Sequence, residues 1–137
     1  MLSKLALAIL AAAVPLVAAA QAQQHTVTAT LDYNFKRLHS CSAKETTGCV
    51  KQFNIYELTG GPTPMRKLFS FPAPSAEKKL VKKITATSGP VDLMPGVHMF
   101  GATAEMADGS ESDPKACTAL GKVGTGMVVS LAIAKSQ

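Results

Sequence analysis

The chain has 137 residues, of which 47% are hydrophobic, and its 14 basic and 9 acidic side chains give a formal net charge of +5. From this length we expect one domain with a single hydrophobic core. A domain of this size buries enough surface to be stable without several disulfides, so the three cysteines need not form a disulfide scaffold.

The first 22 residues have the three parts of a secretory signal peptide. Lys4 supplies a positive charge, residues 5–20 are an uninterrupted small and apolar run, and alternating alanines offer cleavage sites up to Ala22. A membrane anchor is the alternative, but the apolar run is shorter than the roughly 20 residues that span a bilayer. We therefore predict a signal peptide over residues 1–22 and one domain over residues 23–137. The protein would be secreted, periplasmic or at the cell surface, with no transmembrane anchor after cleavage.

Export would place the three cysteines in an oxidising compartment, where nearby thiols normally pair. We predict a disulfide between Cys41 and Cys49, which would close the polar loop of residues 42–48. Cys117 is then left over as a free thiol, unless it is an alternative partner of one of the other two. A zinc site is disfavoured because the cysteines lack CxxC spacing and the chain has only three histidines. We expect no metal and no cofactor.

Strict alternation predicts the first strand of the domain. Val27, Ala29 and Leu31 are apolar and polar residues lie between them, a pattern that continues to residue 35 and is typical of a half-buried strand. A second strand is predicted over residues 50–58.

Turn residues divide the rest of the chain. Residues 59–64 predict a reversal, and Pro72 and Pro74 end the strand that follows it. Residues 88–90, Ser-Gly-Pro, are predicted to break a strand, and residues 108–114 to form a polar hairpin loop. The further predicted strands span residues 65–71, 80–87, 97–106, 116–123 and 127–134.

About seven strands joined by Gly and Pro turns, with no helical period, predict an all-β fold. The expected architecture is an antiparallel β-sandwich. A small closed barrel is the alternative.

Short motifs over roughly residues 25–120 resemble a known family. Residues 27–32 are similar to the second strand of bacterial fibronectin type III modules, and residues 53–56 to the third. The last two strands of those modules resemble the run Leu93-x-Pro95-Gly96-x3-Phe100-x-Ala102-x-Ala104-x4-Gly109-x-Glu111-Ser112-x-Pro114. The resemblance implies an immunoglobulin-like sandwich and a family whose members mostly bind, space or present rather than catalyse.

Four departures from the family pattern concern the core and the chain ends. Leu31 stands where the family has a Trp, and Phe100 stands at the corner Tyr, whose hydroxyl it lacks. The predicted domain also begins almost directly at the family's second strand. Residues 127–134 form an extra strand, apolar on both faces, which we expect to occupy the vacant edge and to need cover on each side.

Positive charge is concentrated around residues 80–81. Lys78, Lys79, Lys82 and Lys83 bracket this apolar pair. They could form a patch that binds a polyanion, or a solvated strand edge that discourages aggregation.

No catalytic motif is visible. His39, Ser40 and Cys41 are adjacent, but neighbours on an extended strand point to opposite faces. The acids within residues 105–113 lack the spacing of a calcium loop. No aromatic platform accompanies the lysines, which disfavours a nucleic-acid partner.

We therefore expect a secreted or cell-surface, non-catalytic module for binding or structural presentation, not an enzyme. Its partner would be an unknown protein or an envelope polysaccharide. The alternative is a periplasmic accessory or adhesin/pilus-type protein that acts by β-strand donation through residues 127–134. A small hydrolase is not favoured.

Overall fold

The computed structural model describes residues 22–32, 39–74 and 83–135. Within them, a 3-10 turn at Pro114–Ala116 is the one helical element, so the predicted all-β fold is confirmed. The strands are β1 (Gln23–Asp32), β2 (Val50–Thr59), β3 (Arg66–Pro72), β4 (Lys83–Leu93), β5 (Gly96–Met106), β6 (Cys117–Val123) and β7 (Val128–Lys135). The signal-peptide prediction for residues 1–22 lies, apart from residue 22, outside the described residues, as does the predicted continuation of the first strand beyond residue 32.

The strands are hydrogen-bonded in the order β3-β2-β5-β6-β7-β1-β4 and form a two-layered sandwich. One layer contains β3, β2, β5 and β6, and the other contains β7, β1 and β4. The layers are joined where the first two residues of β6, Cys117 and Thr118, pair with the end of β7.

β7 runs parallel to β1, whereas the other strand pairs of the described residues are antiparallel. Its register extends from Thr26 beside Val128 to Asp32 beside Ala134. The sequence predicts that all strand pairs are antiparallel, and this prediction is wrong for the pair of β1 and β7. The physical reason is that residues 124–127 cross from one layer to the other, so β7 enters the second layer in the direction of β1.

The core lies between the two layers and is built from alternate residues of the strands. Such side chains share one face because successive residues of a strand point to opposite sides. The buried apolar residues include Val27, Ala29, Leu31, Phe53, Ile55, Leu93, Phe100, Ala102, Val129, Leu131 and Ile133. Leu31 and Phe100 are both part of this core.

β7 contributes a full row of side chains to that core. Val129, Leu131 and Ile133 are at most 4% exposed. Burial of one such side chain stabilises a protein by about 1.5–3 kcal/mol, and a whole domain has only about 5–15 kcal/mol of stability. The opposite face of β7 is exposed, and the side chain of Val128 on that face is 60% exposed. The prediction that both faces of this strand are covered is therefore wrong for the described part of the chain.

β4 continues through Ser88, Gly89 and Pro90, where the sequence predicts a break. Ser88 is buried, and its hydroxyl accepts a hydrogen bond from the backbone N–H of Val27 at 2.9 Å. The register of β1 against β4 shifts at this point, between Thr26 and Thr28. Such a bulge accommodates a proline, which cannot donate to the ladder.

The described part of the chain contains no helix long and apolar enough to cross a membrane.

Candidate functional site

The structure contains the predicted disulfide between Cys41 and Cys49. Their Cα atoms are 4.9 Å apart, and the loop that they close, residues 42–48, is exposed. The backbone N–H of Cys41 donates to the carbonyl of Val50 at 2.8 Å, which ties the loop to the start of β2. Cys117 lies on β6, half-buried, outside this disulfide.

The predicted polyanion patch falls mostly outside the described residues. Lys78, Lys79 and Lys82 lie there, so the patch itself is not described. Lys83, the first residue of β4, is exposed.

A charged network is buried between the layers at one end of the sandwich. Glu57 of β2 is 0% exposed, and its carboxylate lies 2.8 Å from Nδ1 of His98 and 3.1 Å from Nη2 of Arg66. Nε2 of His98 lies 2.7 Å from the carbonyl oxygen of Met94, and Arg66 donates to the carbonyl of Asp92 at 2.7 Å. The network thus ties β2, β3 and β5 to the end of β4 and to the turn that joins β4 to β5.

Both ring nitrogens of His98 face oxygens. A carbonyl only accepts, so Nε2 carries a proton. The other ring nitrogen, Nδ1, lies within ion-pair distance of the Glu57 carboxylate, which the Arg66 guanidinium also contacts.

Two glycines close the loop over this network. A Cβ on Gly61 would overlap the carboxylate of Glu57, and a Cβ on Gly60 would lie 2.7 Å from Nδ1 of His98. A carboxylate beside an imidazole is also found where a histidine acts as a general base. Here both side chains are at most 1% exposed, so the pair cannot reach a substrate and its role is structural.

A second polar network lies on the outer face of the same layer. The hydroxyl of Tyr56 lies 2.8 Å from both carboxylate oxygens of Glu111. Asn54 and Thr103 also donate to this carboxylate, and Ser70 donates to the side-chain carbonyl of Asn54 at 2.6 Å. Glu111 therefore holds the connection between β5 and β6 against the sheet.

The environment of Tyr56 raises its pKa to about 12. Burial is the largest cause, followed by the hydrogen bond to Glu111 and the negative charges of Glu111 and Glu105. These effects all favour the neutral phenol, which acts as a hydrogen-bond donor.

The other acids of the connecting loop stabilise its turns. Asp108 accepts hydrogen bonds from the backbone N–H and the hydroxyl of Ser110, which lower its pKa. Asp113 accepts from the backbone N–H of Lys115 at 3.0 Å. Among the described residues, no three His, Cys, Asp or Glu side chains are grouped so that they could hold a metal ion.

The start of β1 is linked to the segment that leads into β7. The backbone N–H of Thr26 donates to the carbonyl of Met127 at 2.8 Å. His25 is buried, and its ring nitrogens face the carbonyls of Gln23 at 2.8 Å and Gly124 at 3.2 Å. These contacts fix the position at which β7 enters the second layer.

No family model, curated protein or solved structure matches this chain. The function is therefore inferred from the geometry of the described residues. Neither polar network is evident from the sequence, because Glu57 and His98 are far apart in the chain and meet only across the sheet. One signal was present: Glu57 continues the inward-facing alternation of Phe53 and Ile55, and a carboxylate at such a position needs a partner.

Two Glu–His pairs of similar length allow a matched test of the buried network. We expect Glu57→Gln to lower the free energy of unfolding by about 3–5 kcal/mol, because Arg66 loses its buried countercharge and His98 loses its carboxylate partner. The control is Glu45→Gln, which breaks the exposed 2.7 Å pair with His39 and should cost less than about 1 kcal/mol. Urea unfolding of the two variants measures both values. Equal losses in the two variants would contradict the structural role of Glu57.

The pKa of Tyr56 provides a second test. In a Tyr33→Phe background, we expect the tyrosinate absorbance to appear with a pKa of about 12. Glu111→Gln removes the carboxylate charge and should lower this pKa, though not fully to the usual value because burial remains. Since the folded-state pKa is raised, the stabilisation by neutral Tyr56 is complete below pH 10 and is lost as the pH rises towards 12. A titration at the ordinary value of tyrosine would show that the network does not form.

Proposed function

We propose that this chain is an exported, non-catalytic binding module with an immunoglobulin-like sandwich. The strand order supports the fold assignment. In immunoglobulin-like domains the second strand lies beside the fifth, and the third, sixth and seventh strands are neighbours in that order. In this chain β1 corresponds to the second strand and β4 to the fifth, and these two are neighbours. The third, sixth and seventh strands correspond to β2, β5 and β6, which are neighbours in that order.

The position of β7 is the observation on which this proposal depends. The first strand of an immunoglobulin-like domain lies beside the second, on the side away from the fifth. β7 lies beside β1 on the side away from β4, and it fills that place from the other end of the chain. On this proposal, β7 takes the place of the first strand of the domain. The Cys41–Cys49 disulfide is consistent with export, because disulfides persist in oxidising compartments.

The exposed face of β1 and β4 offers a surface for a neutral polysaccharide. Thr28 and Thr87 lie side by side with hydroxyl oxygens 3.2 Å apart, and Thr30 and Thr85 with oxygens 3.0 Å apart. Ser130 of β7 extends the array beside Thr28. Threonine hydroxyls can hydrogen-bond to sugar hydroxyls, and threonine methyl groups can contact the apolar faces of sugar rings. Of the two partner classes expected from the sequence, we propose an envelope polysaccharide for this surface. With no Trp and only two Tyr, the sequence disfavours sugar binding by ring stacking, so binding would rest on the hydroxyl array.

Co-sedimentation of the exported protein with purified envelope polysaccharide tests the proposal. We expect binding without release of sugar products, by a chain that starts near residue 23 and retains one disulfide. Thr30→Val combined with Thr85→Val removes two hydroxyls while keeping the side-chain shape, and should weaken binding about tenfold. The matched control is Thr118→Val on the other layer, which should bind normally. Unchanged binding by the double variant, or hydrolysis of the polysaccharide, would overturn the proposal.

A second candidate function is β-strand donation, and one observation favours it. β7 pairs with β1 at seven successive positions, but with β6, its neighbour in the chain, at two. A C-terminal strand held mainly by an element from the other end of the domain resembles the added strand in β-augmentation. On this alternative, β7 binds β1 of another chain, or gives up its place to a strand from elsewhere.

A further inference from the structure

The place beside β1 needs an occupant. Without β7, the backbone of β1 would lose its parallel partner and the inner side chains of β1 would lose the row formed by Val129, Leu131 and Ile133. An unpaired, apolar strand edge is a template for another strand. The strand that fits this place in register and side-chain size is β7 itself, whether it comes from the same copy or another.

The segment that leads into β7 has room to change conformation once the hydrogen bonds that hold Gly124 and Met127 to the start of β1 are released. Gly124 and Gly126 are exposed, and no atom lies within 4 Å of the Cβ position of either residue. Residues 124–127 cross between layers that are about 10 Å apart in a sandwich. β7 is the last of the described strands in chain order, so it can leave without another strand being threaded, but its departure breaks the hydrogen-bonded link from β6 to β1 until a β7 from another copy restores it.

Exposed apolar side chains flank this segment. Leu120 is 70% exposed, Met127 is 69% exposed and Val128 is 60% exposed. When two copies exchange a terminal strand, their linking segments run side by side and create a new contact between the copies. Apolar side chains next to the linking segment are the ones that such a contact would cover.

We propose that β7 is exchanged between two copies of this chain, giving a symmetric dimer in which each β7 pairs in parallel with β1 of the other copy. Gly124–Gly126 forms the hinge. The inference rests on the proposed role of β7 as the strand that completes the domain, and it names a second copy of this chain as the partner. Three core side chains must leave the core together, so exchange is slow. Monomer and dimer therefore interconvert slowly enough to be isolated from each other.

A cross-link between chains tests the exchange directly. Thr28 and Ser130 are register partners on β1 and β7, and adjacent strands place such residues within disulfide distance. A Thr28→Cys chain and a Ser130→Cys chain are refolded together from urea at high concentration and then oxidised. We expect a covalent dimer in which mass spectrometry finds residue 28 of one chain bonded to residue 130 of the other. The control mixture, Thr28→Cys with Ser110→Cys, should give no such product.

A shorter hinge provides a second measurement. Deletion of Thr125 and Gly126 leaves two linking residues, whose fully extended reach of about 10–11 Å only just spans layers that are about 10 Å apart. Crossing within one copy is then strained, so we expect a larger dimeric fraction in this variant than in the wild-type chain. Size-exclusion chromatography with light scattering measures the shift. Absence of the 28–130 cross-link, with a deletion variant that is a monomer or unfolded, would overturn the exchange. In that case a wild-type monomer that still binds polysaccharide would leave the binding-module proposal standing.

Discussion

The fold depends on one pairing, the parallel register of β7 against β1. β1 is an interior strand, with β4 on one side and β7 on the other, and its inner side chains occupy the centre of the core. β7 also provides the hydrogen-bonded link between the two layers, through its pairs with the start of β6. A strand from the end of the chain therefore determines whether β1 is at the edge or in the interior of its sheet.

The two polar networks hold opposite faces of one layer. Glu57 lies on the inner face of β2, where Arg66 and His98 compensate its buried charge, and the loop closed by Gly60 and Gly61 covers the group. Tyr56, the preceding residue, points outward and binds Glu111. Because side chains alternate along β2, the networks around Glu57 and Glu111 lie on opposite faces of the same layer. The first fixes the turn between β4 and β5, and the second fixes the connection between β5 and β6. This arrangement explains why carboxylates that could suggest catalysis or metal binding act as structural ties.

The sequence predicts the local elements well and their pairing partners less well. β2, β5, β6 and β7 begin and end within one residue of their predicted limits, because alternation and flanking Gly or Pro are local signals. The break predicted at Ser88 fails since the serine hydroxyl binds the backbone of β1, a contact that depends on tertiary structure. The parallel direction of β7 depends on where its linking segment crosses, which no periodicity encodes. The disulfide was predictable because Cys41 and Cys49 are close in the chain, whereas Glu57 and His98 meet only through the register of β2 and β5.

Removal of β7 tests the central claim most directly. A chain that ends at Gly124 lacks Val129, Leu131 and Ile133, and its β1 has an open edge. The account predicts that this chain loses the cooperative thermal unfolding of the full protein, since the missing burial is comparable to the stability of a whole domain. Cooperative unfolding at an unchanged temperature would show that the sandwich is complete without β7, and would contradict the account.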